Sequence, residues 1–128
     1  MKLLMNDIVR SESALTALGN TNGLSSIVAY RIFKNIKALH EEITLYNETR
    51  KKLCFAYANK DDKGNPIIKN NSYDIPKDKK EQFDNEFQEL INMEVDIDIK
   101  KIKLEDIDKA GLSPFQIESI EFMLDFKK

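Results

Sequence analysis

Apolar residues recur in steps of three and four along the second quarter of the chain, at Val28, Ile32, Ile36, Leu39, Ile43, Tyr46, Leu53 and Tyr57, with Arg50 as the one interruption. Such spacing stays on one face of an α-helix. Residues 24–59 contain neither Gly nor Pro, so the pattern predicts a single helix of roughly 35 residues, about 52 Å long at 1.5 Å per residue. A helix of that length outreaches a compact domain of this size. It must protrude or meet a partner, and the other elements are organised around it.

Before it, Lys2 to Met5 reads as a short strand, and Asn6 is placed to cap a helix from Asp7 to about Leu18 with Ile8, Leu15 and Leu18 on its apolar face, closed by Gly19 and Asn20. Ser25 or Ser26 can cap the long helix. After it, Asp62, Lys63, Gly64 and Asn65 supply turn chemistry between short segments, one carrying Ile67 and Ile68, so a loop or small β-hairpin is expected at the tip. Asp74 and Pro76 suit the start of a returning helix from Lys77 to about Met93, with Phe83, Phe87, Leu90 and Ile91 at helical spacing.

The period then changes. Val95, Ile97 and Ile99 alternate with Asp96, Asp98 and Lys100, the mark of a strand with one buried face, whose expected partner is Lys2 to Met5. The alternation skips at Lys100 and Lys101, predicting a bulge or strand end. Ser113, Pro114 and Gln116 carry the signature of a capping box opening a last helix that buries Ile117, Ile120, Leu124 and Phe115. The predicted fold is α+β and mostly α, a single domain over residues 1–128. It has a long central helix, a returning helix, a tip hairpin and a small sheet pairing the N-terminal strand with residues 95–99. Because the returning helix covers only half of the stripe, Val28, Ile32, Ile36 and Leu39 need cover from the first and last helices or from another copy, which predicts a homo-oligomer.

Composition is that of an ordinary soluble domain, 41% hydrophobic and 33% charged. The lone Cys54 excludes a disulfide framework and suggests a reducing compartment, the cytoplasm. The amino terminus has no signal-peptide core, and no window reaches the length of a membrane span. The net charge of −2 conceals a split: residues 1–60 carry nine Lys and Arg against five acids, and residues 61–128 carry eleven against seventeen. Between Glu12 and Glu41 no acid occurs, whereas Arg31, Lys34, Lys37 and His40 all fall there.

Catalytic equipment is sparse. One His and one Cys cannot build a structural zinc site, and His40 and Cys54 are four helical turns apart. No phosphate-binding glycine loop or nucleophile elbow occurs. Residues 61–65, Asp-Asp-Lys-Gly-Asn, lack the alternating acids of a calcium loop and read as a turn. Glu94, Asp96 and Asp98 share a strand face that could hold a divalent cation or, more simply, form a charged solvent edge. We therefore expect no enzyme, no metal and no cofactor. Tyr30, Arg31, Lys34 and Lys37 form the candidate ligand site, an aromatic beside bases suited to a phosphate-bearing ring, against the simpler reading of a solvated helix face. Nothing in the sequence specifies DNA or RNA.

The segments MKLLMNDIV, VAYRIFKNI, LYNETRKKL, KDDKGNPI, FDNEFQELINMEVDIDI and LSPFQIESIEFML, in that order, resemble a widespread group of small proteins encoded by phages and prophages of low-GC Gram-positive bacteria. The resemblance implies a viral origin and action in the cytoplasm of an infected cell, and brings no activity with it. The hairpin layout is also similar to prefoldin, by architecture alone. Two functions fit. One is a non-enzymatic, oligomeric anti-defence factor that sequesters a nucleotide second messenger or a host defence protein. The other is a chaperone or structural accessory of virion assembly, using the hairpin tip.

Overall fold

The long helix forms. In the computed structural model, which describes residues 1–126, it runs Ser26–Tyr57 (α3), opened by the Ser25 side chain accepting from the Val28 amide at 3.3 Å. At 1.5 Å per residue its 32 residues span about 48 Å. Ahead of it lie β1 (Lys2–Leu4), α1 (Met5–Arg10) and α2 (Glu12–Gly19). Behind it come β2 (Ile68–Lys69), β3 (Ser72–Tyr73), α4 (Lys77–Ile91), β4 (Glu94–Asp96), β5 (Ile102–Lys103), α5 (Pro114–Ser119) and β6 (Leu124–Asp125). Two 3-10 segments, Leu104–Ala110 and Glu121–Met123, flank α5. The fold is α+β and mostly α, with a long central helix and, among the described residues, three two-stranded sheets.

The core gathers at the first two-thirds of α3. Val28, Ile32, Leu39, Ile43 and Tyr46 pack with Met5, Ile8, Leu15 and Leu18 from α1 and α2 and with Ile102, Ile107, Ile120, Met123 and Leu124 from the C-terminal third. Burying each large aliphatic side chain is worth about 1.5–3 kcal/mol. Ile36 is only half-buried, and an added Cβ on Gly19 would sit 3.4 Å from its Cδ1. The stripe thus finds its cover within the chain, from the helices before α3 and the strands after it, so incomplete cover of Val28 to Leu39 gives no reason for another copy.

Beyond Tyr46 the packing thins. Only Cys54 and Ala58 are buried there, Arg50 is exposed, and Leu53 and Tyr57 are half-buried. The returning α4 buries no residue completely. Between the two helices Tyr57 sits edge-on to Phe83 at 5.9 Å, and within α4 Phe83 stacks on Phe87 at 6.4 Å. The distal half of α3, the start of α4 and the hairpin between them form an arm on a well-packed body. At its end β2 pairs antiparallel with β3 through a turn at Asn70 and Asn71, both at positive φ (51° and 63°), the geometry of a two-residue primed turn. The hairpin turn therefore falls after Ile67 and Ile68. Residues 61–65 form the expected turn as well: across it Lys60 bridges Pro66 antiparallel, and within it the Asp61 carboxylate accepts from the Lys63 and Asn65 amides.

Four expectations are corrected. The first helix begins at Met5 with Leu4 as N-cap, so Asn6 lies inside it, and it breaks at Ser11, whose buried hydroxyl donates to the Ile8 carbonyl at 2.6 Å. That bond competes with the helical ladder. The strand expected over 95–99 is regular only over Glu94–Asp96, registered Leu3 to Val95, and Ile97 continues the pairing by donating to the Met1 carbonyl. The last helix ends at Ser119, and Leu124 lies in β6, parallel to β5, with Ile102 opposite it. Phe115, expected in the core, is 84% exposed because a six-residue helix held by its capping box turns that position outward.

The skipped beat at Lys100 has a specific cause. Asn35, fully buried on α3, accepts from the Lys100 amide at 2.7 Å and donates to its carbonyl at 2.8 Å, replacing the ladder partner that β4 no longer has.

Candidate functional site

Tyr30, Arg31, Lys34 and Lys37 occur within two turns of α3 and all are exposed, on the face opposite the core. The structure brings them together but does not enclose them. Their neighbours on the outer face are Ile27 and Phe33, 67% and 59% exposed, beside Tyr30 at 60%. One turn further the same face becomes acidic, with Glu41, Glu42 and Glu48 around an exposed Leu45. Among the described residues none of these bases or acids has an ion-pair partner. An open helix face of this kind can contact another surface; a small anion would be held on one side only.

The other candidate chemistry is dispersed. His40 is exposed and Cys54 buried, fourteen residues along the same helix, about 21 Å apart by helical rise. Burial pushes the Cys54 thiol up, against the opposing pull of Arg50, which makes it a poor nucleophile at neutral pH. Asp96 accepts from the Met1 ammonium at 3.2 Å and Asp98 pairs with Lys100 at 3.1 Å, so the acidic strand face is divided between separate partners. Among the described residues no three His, Cys, Asp or Glu side chains converge as metal ligands, and no helix is long and apolar enough to cross a membrane.

Residue spacing points to the hairpin tip but does not single out the basic cluster at the end of the arm. Lys51, Lys52, Phe55, Ala56 and Lys60 line an open cavity of about 390 Å³. The Lys51 ammonium lies 5.7 Å from the Phe55 ring centre, and Tyr73 from β3 packs on that ring at 6.1 Å. Lys60 folds back to donate to the carbonyls of Phe55 and Ala58 at the end of α3, where a cation complements the helix dipole. Ile68, the register partner of Tyr73 in the hairpin, is 61% exposed, whereas Ile67 is half-buried. Residues 50–80 carry nine Lys and Arg against four Asp, a density legible in the sequence. The meeting of Lys52, Lys60 and Phe55 was not legible, because the chain has to reverse at residue 58 to bring Lys60 back. No family model, curated protein or solved structure matches this chain.

Proposed function

We propose that the protein is a non-enzymatic phage accessory protein that acts in the host cytoplasm by docking the end of its arm on a host defence protein. The observation that carries this reading is the arm itself. It adds little to the core, since α4 buries nothing completely, yet it holds a basic and aromatic end with an exposed isoleucine away from the body. Exposed apolar surface rimmed by charge is the usual composition of a binding surface. The buried, raised thiol and the exposed, isolated His40 favour binding over catalysis. The phage setting rests on the resemblance of the segment order.

The test is expression in bacteria that carry single defence systems, challenged with phages those systems restrict. The parent protein is expected to restore plating on at least one host, and a Lys51→Glu, Lys52→Glu, Ile68→Ser variant with unchanged melting is expected not to. Equal rescue by that variant would remove the arm end from the mechanism. The exposure of Ile68 also favours a second reading, an assembly accessory that holds a partner's apolar segment at the tip. Higher virion yield on hosts without defences, lost in Ile68→Ser alone, would select it. A rise in melting temperature with any member of a cyclic and linear nucleotide panel would instead make a nucleotide signal the ligand.

A further inference from the structure

The outer face of α3 carries a pattern that its own chain leaves unused. Ile27, Tyr30, Lys34, Ala38, Glu41, Leu45 and Glu48 recur in steps of three and four, a second stripe that is exposed except at Ala38, which is half-buried against the edge of the core. Ile27, Tyr30 and Leu45 on it are 67%, 60% and 54% exposed. Its charges are ordered, bases in the first half and acids in the second, with Ala38 between them. Among the described residues none of Arg31, Lys34, Lys37, Glu41, Glu42 or Glu48 is in an ion pair.

A stripe with this order is complementary to its own reverse. We infer that two copies of the chain pair through this face, α3 against α3 and antiparallel, about a two-fold axis beside Lys37 and Ala38. That axis sets Tyr30 of one copy opposite Leu45 of the other and Lys34 opposite Glu41, each contact occurring twice because the interface is isologous. Glu48 falls opposite Ile27, within a turn of Arg31. The small Ala38 at the crossing lets the helices approach to the 8–10 Å usual for packed helices. Parallel pairing would set Lys34 on Lys34 and Glu41 on Glu41. A uniformly acidic partner would gain at Arg31 and Lys34 and be repelled at Glu41 and Glu48, and a polyphosphate would meet the same limit. The second copy is the occupant that satisfies both halves. The other elements of the body lie on the opposite side of α3, so the pairing leaves both arm ends free and pointing apart.

The experiment is sedimentation equilibrium or light scattering on the full chain over a range of concentrations and salt, with Lys34→Glu, Glu41→Lys and the double variant Lys34→Glu, Glu41→Lys. Both sites are exposed, and thermal unfolding checks that each variant keeps its fold. The parent is expected to be a dimer in the micromolar range that weakens as salt rises. Each single reversal sets two like-charge pairs face to face and is expected to raise the dissociation constant about tenfold. The double variant restores two opposite-charge pairs and is expected to return to within about threefold of the parent. Leu45→Glu, which removes both apolar contacts with Tyr30, is expected to give a monomer. A parent that stays monomeric into the millimolar range would overturn the inference. So would a dimer indifferent to the single reversals, or one that the double variant fails to restore. None of these results depends on the arm end or on its partner.

Discussion

Asn35 joins the first half of the chain to the second through the backbone of Lys100. On helical spacing it flanks the apolar stripe and reads as a polar residue at the edge of the core, yet it is completely buried and bonds both backbone groups of Lys100. Truncation to Ala would leave a part-buried amide and carbonyl of Lys100 without their partner, at a cost of up to about 1–3 kcal/mol for each unsatisfied group. We expect Asn35→Ala to lose about 2–4 kcal/mol in urea unfolding. Asn35→Asp should also destabilise, since a carboxylate can accept from the Lys100 amide but is repelled by its carbonyl. Titration supplies a second prediction. Burial raises the Cys54 thiol above its ordinary 9.0 and the Tyr46 hydroxyl above 10.0, and a hydrogen bond to Glu86 raises Tyr57 above 10.0. In each case the folded state holds its proton more tightly than the unfolded one. The stability so gained is complete below the ordinary values and is lost as pH rises through the raised ones. Melting temperature should therefore fall from about pH 9 upward, with Cys54→Ala removing the earliest part of the fall. A melting temperature level to about pH 11 would show that these groups titrate alike in both states.

Among the elements, the sheet that joins β1 to β4 ties the start of the chain to its last third, and Ile97 is the buried residue beyond its end. Ile97→Asp would place a carboxylate in the core and should cost about 3 kcal/mol or more. Circular dichroism melting checks this; a shift of only a degree or two would mean that residue 97 can turn to solvent. Where local chemistry was complete, elements formed as the sequence implied. Ser113 and Gln116 make the reciprocal capping box, and the Ser25 cap and the start of α4 at Lys77 stand where their residues placed them. Ends were misjudged where a distant partner set them. The final helix stops because Met123 and Leu124 are drawn into the core and β6 joins β5, a contact 22 residues away in sequence at its Ile102–Leu124 pair.

At the scale of the whole molecule, body and arm differ in how they are held, and this gives a kinetic prediction. Cys54 is buried in the arm, where packing is thin, so a thiol reagent should reach it by local opening and not by global unfolding. Phe83→Ala, which removes the ring packed on Tyr57 and Phe87, should speed native labelling of Cys54. Leu39→Ala, which costs about 2–5 kcal/mol in the body, should leave the labelling rate nearly unchanged while lowering global stability. If Leu39→Ala speeds labelling as much as it destabilises the fold, arm and body open together. The charge split has a spatial counterpart as well, with lysines at the arm end and both signs along the outer face of α3.

Much of this protein was decided by the sequence alone. The length and core face of α3, the caps at Ser25 and Ser113, the returning helix, the tip hairpin and the register partner of β4 follow from side-chain periodicity and local hydrogen bonding, which act over a few residues. Tertiary structure decided the place of Leu124 in a strand, the Asn35 clamp on Lys100 and the meeting of Lys60 with Phe55. Each of these depends on a contact whose energy is realised only after the chain has folded back on itself. The candidate site divides in the same way: Tyr30, Arg31, Lys34 and Lys37 share one helix face by spacing, but only the packed body shows that this face is left open.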